Sequence, residues 1–231
     1  MSTRRERFRR PVNDGPGRER EADGLFLGPV PAIALLLGGL VLLVLSALPV
    51  DEDAVGGLEV RVFRDVNDGV RLPWFAVWTV MQLGSVIVIP LVVGAALLAR
   101  RPRLAATAAV AGTIAYVMGK VVRHLVKRAR PDRLLAGVII RGAPSLGSGY
   151  LSGHTALAVT MAVVLTPYLG RGGRWAVWIL AVVVGLARMY AGAHLPLDVV
   201  GGAALGLATG GAVTLVGARI RAARSTDRPQ R

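Results

Sequence analysis

Cysteine is absent from this chain. Disulfides, thiolate metal sites and cysteine nucleophiles are therefore excluded. Histidine is scarce: His124, His154 and His194 are the only three, and their spacing is not that of a metal site. Acidic residues are in short supply, 14 against 28 basic ones, and no cluster of carboxylates stands ready to hold a cation. Neither a metal nor another cofactor is expected.

What the chain has in quantity is apolar surface. Hydrophobic residues make up 53% of its 231 residues, and the mean hydropathy is +0.54. The length suits a single domain, and the composition is too apolar for an ordinary soluble one. A net charge of +14 would point to nucleic acid in a soluble protein. Here the cations gather at the ends of apolar runs, where membrane topology accounts for them. The expected partner is a bilayer, with no nucleic acid.

Residues 1–28 are polar and arginine-rich and read as a disordered cytoplasmic tail. The apolar run over 29–50 is too long for a cleavable signal sequence and fits a first membrane span. Residues 51–72 are acidic, but Val55, Leu58, Val62, Val66 and Val70 recur at steps of three and four. That is one helix face, lying either in the outer membrane interface or across the mouth of the bundle. Further spans are expected over 73–99, 104–122, 152–169, 175–193 and 196–217, the last opening on Pro196 at a first helical position. A basic tail over 218–231 follows. The expected fold is all-α: an integral membrane bundle of six transmembrane helices, with the domain spanning 29–217.

Six spans put both termini on one side, and the arginine-rich N-terminus assigns that side to the cytoplasm. The second outer loop breaks the charge rule with Lys127, Arg128, Arg130, Arg133 and Arg141. A bound anion would explain the violation. Parity then brings four places to the outer face: the end of the third span, the start of the fourth, the end of the fifth and the start of the sixth. They carry Arg123 and Arg130, then Ser152, Gly153 and His154, then Arg188, then His194 and Asp198. Ionisable groups at membrane depth are costly and point to function.

Arg123, Arg130 and Arg188 offer forked donors suited to phosphate oxygens. Ser152 to His154 open a helix whose free N–H groups favour an anion, and Gly153 lets the backbone come close to it. His194 is a candidate nucleophile toward phosphorus, with Asp198 to hold its other ring nitrogen. His154 is a candidate to protonate a leaving alcohol and then activate water. Lys127 and Arg128 read as interfacial cations with snorkelling side chains, and His124 as a cap or packing residue.

These residues carry a resemblance. The chain is similar to the type 2 phosphatidic acid phosphatases, integral membrane lipid phosphatases that share a core with vanadium haloperoxidases. The family pattern is Lys, six residues, Arg-Pro; then Pro-Ser-Gly-His; then Ser-Arg, five residues, His, three residues, Asp. Here it reads Arg123 with Arg130 and Pro131; Leu151, Ser152, Gly153 and His154; and Ala187, Arg188, His194 and Asp198. Arg123 keeps a charge where the pattern has Lys, Leu151 loses a rigid helix entry, and Ala187 loses a hydroxyl. The resemblance implies that His194 is the nucleophile, Asp198 its orienting partner and His154 the general acid and base. It implies that Arg123, Arg130, Ser152, Gly153 and Arg188 bind phosphate without a metal.

The leading expectation is a phosphatase of the cell membrane, facing outside the cytoplasm, acting on a polyprenyl pyrophosphate, phosphatidic acid or phosphatidylglycerol phosphate. Two alternatives use the same basic face: a non-catalytic protein that binds or moves anionic lipids, and a lipid phosphotransferase. A soluble haloperoxidase is excluded by the spans.

Overall fold

A computed structural model describes residues 28–69, 71–142 and 147–226, which are helical with no strand among them. The N-terminal tail lies outside these residues but for Gly28, as do Val70 and the chain beyond 226. The helices are α1 (Pro29–Ala47), α2 (Gly57–Gly69), α3 (Trp74–Gln82), α4 (Val88–Leu98), α5 (Pro102–Leu125), α6 (Pro131–Leu134), α7 (Gly153–Leu165), α8 (Arg171–Tyr190) and α9 (Pro196–Thr226). Four of them, α1, α5, α8 and α9, are long and apolar enough to cross a membrane. Large apolar side chains such as Leu37, Val41, Leu98, Val117, Trp175 and Ile179 stand exposed on the bundle's outside, as lipid contact requires.

The centre of the bundle is α7. Every residue from Thr155 to Val164 is buried, so this helix is enclosed on all sides and not amphipathic. It packs against α5, α8 and α9. At 13 residues it is shorter than the span expected over 152–169. Pro167, which has no N–H to continue the ladder, sits in the 3-10 turn Thr166–Tyr168 that follows. Helix α9 also packs along α1, and glycines set the closeness of that contact. A Cβ on Gly39 would fall 2.5 Å from the Ala208 nitrogen, and one on Gly211 would fall 2.6 Å from the Leu36 nitrogen. The Tyr150 hydroxyl, 2.9 Å from Ser46 Oγ, ties the segment before α7 to α1.

Three expectations need correcting. The single span over 73–99 is two helices, α3 and α4, with a break at 83–87. Gly84 in that break lies on the backbone of α7: an added Cβ would sit 2.6 Å from the His154 carbonyl oxygen. Ser85 Oγ donates to the Gln82 carbonyl at 2.7 Å, a local bond of the kind that competes with helix continuation. At the other end of the chain, α9 runs past Gly217 to Thr226.

The third correction concerns α2. It packs across the ends of α8 and α9, which settles between the two placements its periodicity allowed. Its buried residues are Glu59, Phe63 and Asn67, whereas Leu58 and Val62 are exposed. Phe63 fills a pocket with Met189 and Leu195. Asn67 Nδ2 donates to the carbonyls of Ile139 and Tyr190, each at 3.0 Å, and its Oδ1 accepts from the Ile139 N–H at 2.9 Å. Such pairing makes a buried amide tolerable, and it staples α2 to the C-terminal end of α8. Arg64 adds bonds to the carbonyls of Ala136 and Gly137.

Candidate active site

The site forms where the C-terminal ends of α5 and α8 meet the N-terminal ends of α7 and α9. Ser152 caps α7, its Oγ accepting from the Thr155 N–H at 3.4 Å and from the Thr155 hydroxyl at 3.0 Å. The Ser152 N–H donates to the Asp198 carbonyl at 2.8 Å, which joins the starts of α7 and α9 directly. Arg123, in the last turn of α5, is anchored by its Nε to the Gly119 carbonyl at 3.0 Å. Its guanidinium lies against Gly153, where an added Cβ would be 3.2 Å from Nη2. Glycine at 153 is thus what lets the cation reach the first turn of α7.

Arg130 is buried and held on two carbonyls: Nη1 on Ala193 at 2.7 Å and Nε on Gly147 at 3.2 Å. Arg188 closes α8, with Nη1 3.5 Å from Met81 Sδ of α3. Between α8 and α9 the chain turns through Gly192 at φ 73°, a left-handed conformation that suits glycine. An added Cβ there would also meet the Ile139 carbonyl oxygen at 2.7 Å.

His194 follows at once and is 2% exposed. Its Nδ1 is 2.9 Å from the Gly149 carbonyl oxygen and 3.5 Å from Asp198 Oδ2. Both neighbours are acceptors only, so Nδ1 carries the proton and Nε2 keeps its lone pair. Burial holds the imidazole down at about 4; the nearby Asp198 carboxylate offsets part of this, and the Arg188 charge adds to the lowering. At neutral pH the ring is neutral, with its lone pair on Nε2.

A cavity of about 180 Å³ opens here, with Arg130, His154 and Arg188 in its wall beside Arg141, Gln82 and Trp78. Arg123, Ser152, Gly153, His194 and Asp198 are set around or behind this wall and do not line it. All eight residues singled out from the sequence therefore come to one end of the bundle. Among the described residues there is no cluster of side chains suited to a metal.

Three features escaped the sequence. Asp198 is fully buried, and one oxygen is occupied by the Leu195 N–H at 2.8 Å while the other accepts from Arg128 at 3.0 Å. The nearer acceptor for His194 is consequently a backbone carbonyl, that of Gly149. Arg128, read as a snorkelling cation, is 2% exposed and paired on both sides. Lys127, read likewise, does stay exposed. Glu59, the second partner of Arg128, sits far from the site in sequence and belongs to no motif. A carboxylate on the inner face of an otherwise amphipathic helix was the available signal.

The family model described as PAP2 superfamily matches residues 103–221. The chain belongs to the PAP2 superfamily. It is 32% identical over 111 residues to a protein of Sulfolobus acidocaldarius named undecaprenyl-diphosphatase, a match covering 46% of this chain and 52% of that one. It is 30% identical over 100 residues to the bacitracin transport permease protein BcrC of Bacillus licheniformis, covering 43% and 49%. The match spans about half the length of each of these curated relatives. Among solved structures, Aquifex aeolicus LpxE superposes with a TM-score of 0.63 and 28% identity over 72% of this chain and 99% of that one. A PAP2-type phosphatidylglycerolphosphate phosphatase from Bacillus subtilis gives 0.58 and 19% over 87% and 98%, a likeness of fold.

Proposed function

We propose that the protein is a metal-independent phosphatase that removes a terminal phosphate from a membrane lipid through a phospho-histidine intermediate. The observation that carries this reading is the meeting of three sequence motifs around one cavity, with a neutral, oriented His194 beside it. Arg123 and Arg188 on helix ends, with Arg130 held on two backbone carbonyls, suit the charge that develops on a transferring phosphoryl group. In the proposed first step the Nε2 lone pair of His194 attacks phosphorus. The bond from phosphorus to the lipid oxygen breaks, and His154 gives that oxygen its proton. In the second step His154 takes a proton from water, the water oxygen bonds to phosphorus, and the nitrogen–phosphorus bond breaks to release phosphate.

A polyprenyl diphosphate is the favoured substrate, because the Sulfolobus relative bears the name of a diphosphatase. Phosphatidic acid and phosphatidylglycerol phosphate present the same terminal group. The proposed topology has six spans, with α3 and α4 together making one and α7 another, and both termini in the cytoplasm. The basic ends at 100–103 and 171–174 support that orientation, as does the acidic segment ahead of α2. It turns the cavity to the outer face of the cell membrane.

Purified protein in detergent with EDTA should release phosphate from at least one of these lipids, and His194→Ala should not. Release that needs a divalent metal would contradict the reading. Lipid binding without any release would favour a non-catalytic lipid-binding protein, and new phosphoesters formed with added alcohols would favour a phosphotransferase.

A further inference from the structure

Helix α2 lies ahead of the family-matched residues, yet it brings a carboxylate into the site. Glu59 is 8% exposed. Its Oε1 accepts from Arg128 Nη1 at 2.9 Å and its Oε2 from Nη2 at 2.6 Å, the bidentate geometry that an arginine fork favours. Oε1 also accepts from the Leu197 N–H in the first turn of α9 at 2.9 Å. Arg128 Nη1 continues to Asp198 Oδ1 at 3.0 Å, and Asp198 reaches His194. A chain of buried side chains thus runs from Glu59 through Arg128 and Asp198 to His194.

Removing charges from water is costly, and a carboxylate buried alone at 198 would be an uncompensated charge. Arg128 counters that. One guanidinium between two carboxylates also means that Glu59 decides how much of the positive charge Asp198 feels. Arg188 from α8, Arg130 from the segment after α5, His154 from α7 and Tyr150 from the segment before α7 face the same His194–Asp198 pair.

We propose that Glu59 and Arg128 are positioning residues that keep Asp198 an oriented carboxylate and set the charge seen by His194. The proposal rests on the reading of His194 as the nucleophile. It ties the reaction to α2, a helix outside the three motifs. The two residues act with opposite sign. Without Arg128, His194 loses a neighbouring cation and becomes protonated at higher pH. Without the charge of Glu59, the full charge of Arg128 falls on the His194–Asp198 pair, and His194 shifts the other way.

The experiment is the pH profile of kcat/KM for phosphate release from a lipid phosphate by detergent-purified Glu59→Gln, Arg128→Met and the double variant. Arg128→Met should lose about 10²-fold in kcat and move its acid limb up by about 1 unit. Glu59→Gln keeps an acceptor for the Leu197 N–H and should move the limb down. The double variant, in which the lost charges cancel, should return close to the wild-type limb. If Arg128→Met fails to fold, Glu59→Gln decides alone: a downward limb supports the proposal and an unmoved one overturns it. Unmoved limbs with an inactive His194→Ala overturn the positioning role and leave the chemistry standing. An active His194→Ala, or an inactive wild type, overturns the underlying reading instead.

Discussion

His194 Nδ1 lies 2.9 Å from the carbonyl oxygen of Gly149, nearer than its 3.5 Å approach to Asp198 Oδ2. A backbone acceptor therefore shares the work of fixing the ring tautomer, work that falls to the carboxylate alone in a simple triad. Asp198→Asn should then lose less than the roughly 10⁴-fold that such a change costs where the carboxylate acts alone. The expected fall in kcat is about 10²-fold, measured as phosphate release under saturating lipid. A loss of the full magnitude would show that the Gly149 carbonyl does not hold the ring.

The low pKa of His194 gives a second expectation. Its neutral form is the nucleophile, so protonation of His194 should lower kcat/KM only below about pH 4, measured relative to the ionisation of the lipid phosphate itself. Its effect on stability has the same origin. The unfolded histidine binds its proton near pH 6.5, whereas the folded one resists until about 4. The unfolded state therefore holds more protons in that window, and the fold should weaken as pH drops through it. Thermal unfolding in detergent at several pH values should show the decline, and His194→Gln should reduce it.

Gly84 gives a third. Its added Cβ would meet the His154 carbonyl oxygen at 2.6 Å and Val184 Cγ1 at 2.7 Å. Both contacts are too short to keep, and one is backbone. Gly84→Ala should cost about 1–3 kcal/mol of stability. By shifting the first turn of α7, which carries His154, it should also lower turnover about 10²-fold. Unfolding temperature and kcat measured side by side test both, and normal turnover would show that the contact relaxes without moving His154.

Much of this arrangement was legible from hydropathy. The apolar runs and their parity predicted that Arg123, Arg130, Ser152, His154, Arg188, His194 and Asp198 would gather at one end of a helical bundle, and they do. Hydrophobic periodicity failed at α2 because the residues that α2 buries there include two polar ones. Glu59 and Asn67 are stable inside only because Arg128, Leu197 and the carbonyls of Ile139 and Tyr190 meet them, and those partners are distant in sequence. Arg128 looked like any interfacial cation for the same reason. The break between α3 and α4 was hidden too, since a lone Gly84 in an apolar run gives no sign of the backbone it must pass. The nearest acceptor to His194, a main-chain carbonyl, has no side-chain signature at all.

The most direct test is to trap the intermediate. Wild-type protein should be mixed with lipid carrying a labelled terminal phosphate, quenched under alkaline conditions that preserve phosphohistidine, and mapped by peptide mass spectrometry. The account predicts label on Nε2 of His194, with Nδ1 held by Gly149, and none in His194→Ala. Label on Nδ1, on another residue, or on no residue during active turnover would contradict it.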